Sequence, residues 1–307
     1  MSGLWRIGGA LGLAVLMLAL APPVRAGIAP PCQGRIGPQT GIDGRTAYDP
    51  FAPTDLTDSY RLLVVNTGGG PCAFAVVMRT ASPRPVLGGA LAYDIVSPAG
   101  TSLLAGAPGQ NAPALRLTAP LPAFGEGRLD FAITLARGQP AAPGTYRDSA
   151  ALELYALDES GRLGAAPLQR ATLAIAYTVP RVLSVNIKGA ELATTLGFGV
   201  LESGQQRSVA IQARSNLSYE LGVSSDNRGS LALRPAVAGE DWRVPYEARL
   251  GGQPLDLTAG TVLRALPPTR PDSDATFPLT VTIGEVGRKR AGRYEDVITV
   301  EIRGAVP

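Results

Sequence analysis

The pattern G-x-Y-x-D occurs twice, at Gly144, Tyr146, Asp148 and again at Gly292, Tyr294, Asp296, 148 residues apart. Each copy follows a Gly/Pro-rich or basic turn and is followed by an apolar strand-like run, so one folding unit is expected twice. The match extends upstream more weakly. Leu62 to Asn66 followed by Phe74 to Met78 resembles Val209 to Ala213 followed by Tyr219 to Val223. A boundary falls near Val179, Pro180 and Arg181, where proline ends one strand and another begins, dividing 27–179 from 181–307.

Hydrophobic periodicity predicts strands almost throughout. Segments 60–66, 74–78, 128–135, 149–157 and 171–179 are rich in Val, Leu, Ile, Tyr and Thr and bounded by Gly, Pro, Asn or Asp. Segments 182–188, 208–214, 219–224, 230–234, 277–283 and 296–302 repeat the idiom. No stretch holds a 3.6-residue apolar period beyond three turns, and 37 glycines with 27 prolines supply the punctuation of many turns. The expectation is an all-β chain of two immunoglobulin-like β-sandwiches in tandem.

Residues 1–26 read as a secretory signal peptide: Arg6, an apolar run from Leu11 to Leu20, and a cleavage site at Val24 to Ala26. The competing membrane anchor has only 18 uncharged residues from Ile7 to Val24, interrupted by glycines and by Pro22 and Pro23. Removing Arg6 and Arg25 leaves 26 basic against 25 acidic groups, which takes away the support for nucleic-acid binding. The basic cluster Arg288, Lys289, Arg290 with Arg293 reads as a solvated hairpin tip. Export implies an oxidising compartment, so Cys32 and Cys72 are expected to pair in a disulfide; a free thiol pair is the alternative.

The absence of histidine excludes Ser-His-Asp and Cys-His chemistry and imidazole metal ligands, and two cysteines cannot build a four-thiolate zinc site. A glycosidase could work with carboxylates alone, and Asp55 with Asp58, Glu240 with Asp241, and Asp272 with Asp274 are neighbours. All three pairs lie in turn-like sequence, where acids usually make Asx turns or solvate. No D-x-D-x-D-G calcium loop is present. The expectation is a protein with no catalytic site, metal or cofactor.

A tyrosine near the start of strand F anchors a corner in immunoglobulin-like sandwiches, and Tyr146 and Tyr294 fit that role with their glycines and aspartates. The alternative is an aromatic that only fills a strand end. If the corner holds, the first unit continues into a final strand at 171–179, whereas after Tyr294 the second has one strand to Arg303 and no counterpart. The second sandwich is therefore expected to lack its last strand, an open edge for another chain to fill, unless 182–188 closes it.

This arrangement resembles the spore coat protein U family and the pilin-like subunits of archaic chaperone–usher pili. The resemblance is carried by Cys32, the turn from Ala47 to Pro50, Cys72 and the first G-x-Y-x-D, then by Leu196 to Gly204, Ser215, Asn216 and the second G-x-Y-x-D. It implies an exported subunit that meets a periplasmic chaperone, an outer-membrane usher and an adjacent pilus subunit, and reaches the cell surface by donor-strand exchange. Subunits of the shaft carry a strand-length extension before the first cysteine; here only Gly27 to Pro31 precedes Cys32, which implies a tip position, adhesion and a role in biofilms. The apolar loops bearing Phe51, Leu103, Leu104, Leu121 and Phe124 are then candidate adhesive positions, unless they fold back into the core. A periplasmic assembly chaperone is the other non-enzymatic reading; it would donate a strand and not need one.

Overall fold

The computed structural model describes residues 32–41, 47–82, 84–104, 113–190, 192–237 and 242–305. The expected leader at 1–26, the segment 27–31 and the pair Glu240 and Asp241 lie outside the described residues. Within them the chain is all-β, with no helix. The first half forms Gly34–Gly41 (β1), Leu56–Asn66 (β2), Phe74–Arg79 (β3), Val86–Leu87 (β4), Leu91–Val96 (β5), Ala114–Arg116 (β6), Glu126–Leu135 (β7), Gly144–Ala156 (β8) and Gln169–Val179 (β9). The second forms Leu183–Ile187 (β10), Gln206–Ser215 (β11), Tyr219–Ser225 (β12), Ser230–Arg234 (β13), Arg243–Leu250 (β14), Gln253–Pro254 (β15), Thr261–Leu266 (β16), Ala275–Ile283 (β17), Arg293–Glu295 (β18) and Ile298–Gly304 (β19).

Strand pairing separates at residues 180–182. Before it lie the sheets β1-β2-β7-β5-β4 and β6-β3-β8-β9; after it lie β10-β11-β17-β14-β13-β18, with β15 on β14, and β16-β12-β19. The named strands pair antiparallel. Side chains alternate across each strand, so β7 sends Leu129, Phe131, Ile133 and Leu135 inward while β8 answers with Ala150, Leu152 and Leu154. A second buried cluster gathers Ile211, Tyr219, Leu221, Val223, Val244, Leu250, Leu279, Val281 and Ile283.

The two halves correspond in register as well as in order. Phe131 opposes Tyr60 on β2 as Leu279 opposes Val209 on β11, and Met78 opposes Leu152 on β8 as Val223 opposes Val300 on β19. The strands β5 and β14, which sequence periodicity missed, are also equivalents: Tyr93 opposes Leu135, and Tyr246 opposes Ile283. One boundary differs from expectation. β8 begins at Gly144, five residues before the apolar run, because the motif itself is paired: Gly144 to Asp148 lie against Ile175 to Val179 of β9. In the second half that stretch is split, with β18 on β13 and β19 on β12.

The connection between halves is held by one side chain. The Asn216 amide donates to Pro180 O at 2.9 Å, and its Oδ1 accepts from Val182 N at 2.9 Å. Cys32 and Cys72 are joined as a disulfide with Cα atoms 5.8 Å apart, at the start of β1 and just ahead of β3.

Candidate functional site

The duplicated motif forms the same corner twice. Tyr146 donates its hydroxyl to Ala142 O at 2.8 Å, and Tyr294 donates to Arg290 O at 2.9 Å, each reaching four residues back. The glycines serve different needs: Gly144 sits at φ 156°, and a Cβ on Gly292 would run into the Leu233 side chain. The aspartates reach the opposite sheet. Asp148 accepts from the Tyr93 hydroxyl at 2.9 Å, and Asp296 accepts from the Tyr246 hydroxyl at 2.5 Å. Burial and the adjacent carboxylate push both phenols well above the ordinary tyrosine value. Sequence reading did not single out Tyr93 and Tyr246; extending the repeat to the strands opposite Leu135 and Ile283 would have found them.

Beyond this corner the two halves diverge. β8 lies between β3 and β9, whereas β19 has β12 on one side and, among the described residues, no strand on the other. The strand β10 that could have closed that edge pairs with β11 instead. Burial follows the difference. Ala150, Leu152 and Leu154 on β8 are 0% exposed, but their equivalents Ile298, Val300 and Ile302 are only partly buried. Leu183, Val185 and Ile187 of β10 are likewise partly buried around this groove. In the first half the same space is filled by Leu173, Ile175, Tyr177 and Val179 of β9, all in the core.

Phe198 packs, partly buried, against the second core. It lies eight residues ahead of β11, as Tyr48 lies eight ahead of β2. Tyr48 is buried, its backbone N–H donating to Thr178 O of β9 at 2.9 Å, and Phe198 is only partly buried. At the inner end of β2, Asp58 is buried and accepts from the Tyr177 hydroxyl at 3.2 Å. Burial and the neighbouring Asp58 push the Tyr60 phenol up to about 12.

The five candidate loop residues separate. Leu103 and Leu121 are core residues at 4% and 7% exposure, which corrects their placement as adhesive positions. Leu103 is drawn in because its N–H donates to Ile95 O, extending β5, and Leu121 because it exchanges two backbone bonds with Cys72. Leu104 packs partly buried against the same core. Phe51 lies at the junction of the halves, with the Arg214 guanidinium 5.4 Å above its ring. Phe124 is 73% exposed in a left-handed conformation, φ 57°. It projects from the end of the first sandwich where β2 finishes and β7 begins, opposite the end that leads through Val179 into the second half.

A buried amide builds that end. Asn66 is 0% exposed; its Nδ2 donates to Gly70 O, Leu121 O and Pro122 O at 2.8, 3.2 and 2.9 Å, and its Oδ1 accepts from Gly68 N at 2.9 Å. Both loops around Phe124 are thereby fixed, with the disulfide beside them.

The carboxylate pairs are engaged elsewhere. Asp55 accepts from Arg137 N, Asp272 pairs with Arg270, and Asp274 with Arg214. Among the described residues no group of three acids or thiols is placed to hold a metal ion.

No protein-family model matches the chain, and no curated protein matches it by sequence. Solved structures similar to it include the CsuC–CsuE chaperone–tip adhesion subunit pre-assembly complex from the archaic chaperone–usher Csu pili of Acinetobacter baumannii. That match has 14% identity, covers 76% of this chain and 84% of that one, and has a TM-score of 0.38. CfaE, the adhesive subunit of CFA/I fimbria of enterotoxigenic Escherichia coli, is similar at 9% identity over 86% and 91% of the two chains, TM-score 0.36. The C-terminal domain of the Streptococcus agalactiae polypeptide BspA follows at 10% identity over 87% and 96%, TM-score 0.24. At these scores no residue role passes from them to this chain, and the sandwich description rests on its own strands.

Proposed function

We propose that this is an exported, non-enzymatic surface protein that assembles by accepting a β-strand into its second half and adheres through the far end of its first. The observation that carries the reading is the contrast between β8, covered by β9, and β19, whose outer edge and inward row lack that cover. An uncovered edge beside half-buried Ile298, Val300 and Ile302 is a template for strand addition. In this reading the donor is an adjacent subunit of a chaperone–usher pilus, a periplasmic chaperone occupies the groove in transit, an outer-membrane usher exports the chain, and the Cys32–Cys72 disulfide suits that oxidising route. A tip position, adhesion and biofilm formation belong to the same proposal, with Phe124 as the exposed apolar contact.

The test uses the purified chain and a peptide copied from β9, residues 169–179. The chain alone should self-associate, and the peptide should give a monodisperse complex in which the β19 amides become protected from hydrogen exchange. A monodisperse chain that neither binds the peptide nor gains protection at β19 sinks the acceptor reading. For adhesion, Phe124→Ser should abolish surface binding while leaving assembly intact, and Phe51→Ser should leave binding unchanged. Undiminished adhesion by the Phe124 variant would rule out that end.

A further inference from the structure

We infer that the strand completing the second half belongs to a partner polypeptide and carries a carboxylate facing Arg207; this rests on the acceptor reading above. The register locates the position. Asp58 opposes Ile133 on β7, and Arg207 opposes Val281 on β17, the equivalent of Ile133. Residues directly opposite in an antiparallel pair share a face, so Arg207 lies on the inner face with Val281, beside the groove. In the first half Asp58 is covered by Tyr177 of β9, which donates its hydroxyl to the acid. In the second half no strand takes that place among the described residues, and Arg207 is exposed, its Nε donating to Gly197 O at 3.3 Å.

The charge at this position is thus reversed between the two halves. The first half's own strand brings a hydrogen-bond donor to an acid. The second offers a guanidinium, which stays charged and has only donors, to the residue that arrives in Tyr177's place. Covering that cation with an apolar side chain would strip its water without return, and a carboxylate offsets the loss through a charge-assisted, bidentate pair.

The adjacent turn reinforces the sign. Residues 138–143, which precede β8, contain no charge, whereas the turn preceding β18 exposes Arg288, Lys289 and Arg290. Glu295, the nearest acid on β18, pairs with Arg293.

The experiment measures binding of labelled 169–179 peptides to the full chain, one carrying Tyr177→Glu and one Tyr177→Lys. The Glu peptide should bind the native chain about tenfold or more tightly than the Lys peptide, the scale of a close charge pair at an interface. In the Arg207→Glu variant the order should reverse, and because Arg207 is exposed its replacement should leave the fold intact by circular dichroism. Equal binding of the two peptides by the native chain, or an unchanged order in the variant, overturns the assignment to Arg207 while leaving the groove reading in place. If the unmodified β9 peptide also fails to bind, the acceptor reading and this inference fall together.

Discussion

Leu154 and Ile302 are isomeric side chains at matched positions, and truncating each measures how enclosed the two halves are. Leu154 opposes Val76 on β3 and Ile302 opposes Leu221 on β12. Leu154 is 0% exposed with β9 beside it, whereas Ile302 borders the open groove. Leu154→Ala should cost about 3 kcal/mol, within the roughly 2–5 kcal/mol of a closed cavity in a packed core. Ile302→Ala leaves an indentation that water can enter, so only part of the transfer term is lost, about 1 to 1.5 kcal/mol. Guanidinium unfolding separates them, because Trp242 is the one tryptophan in 27–307 and reports the second half, while circular dichroism reports both. Saturating β9 peptide should raise the Ile302→Ala penalty toward that of Leu154→Ala. A penalty of about 3 kcal/mol for Ile302→Ala in the chain alone, unmoved by peptide, would show that the second half is already closed and refute the reasoning.

Reducing Cys32–Cys72, which are 40 residues apart, should destabilise the first half by up to about 4 kcal/mol on the loop-entropy scale and leave the Trp242-reported transition in place. Asn66→Ala removes four bonds to a buried amide; Leu121 O and Pro122 O keep their bonds from Cys72 N and Gly125 N, but Gly68 N and Gly70 O lose the amide, so a loss of about 2 kcal/mol and faster amide exchange at 121–125 should follow, with β19 unaffected. Tyr93, Tyr177 and Tyr246 are pushed far up by burial and nearby phenol or carboxylate groups, and Tyr60 to about 12, so the folded chain retains protons that the unfolded chain releases. Their stabilising contribution is complete below the ordinary phenol value of about 10 and is lost above it, for Tyr60 as pH rises through about 12 and for the other three at higher pH still. Absorbance at about 295 nm should therefore show these four tyrosines ionising only as the chain unfolds, and their reversible ionisation near pH 10 in the folded chain would contradict this.

The sandwich strands were legible because half-buried strands must alternate, and the duplicated motif was legible because a corner needs its glycine and tyrosine at fixed spacing. What escaped is long-range. Tyr93 and Tyr246 sit on strands too short or too polar to stand out, flanked by Asp94 in one case and by Pro245 and Glu247 in the other, and their partners are 55 and 50 residues away. Asn66 looked like a strand terminator, yet it fixes two loops. Leu103 and Leu121 looked like loop residues because no local pattern reveals that their backbones add to β5 and to the Cys72 segment.

The aspartate of the motif explains how an incomplete sandwich can hold its acceptor edge in place. In the closed half Asp148 accepts from Tyr93 and Ser149 N, and β9 fixes the rest. In the open half Asp296 accepts from Tyr246, Ser225 Oγ at 2.6 Å, Asn227 N at 2.9 Å and Val297 N at 2.8 Å, while Asn227 Nδ2 donates to Glu295 O. The junction of β18 and β19 is therefore pinned to both sheets without help from a covering strand. An edge held this way does not have to be ordered when a strand arrives, so the ordering cost falls on the incoming segment alone. The same economy sets which end of the groove is firmest: the end at Asp296, Tyr294 and Arg207, where polar bonds already fix the backbone and a charge awaits its partner.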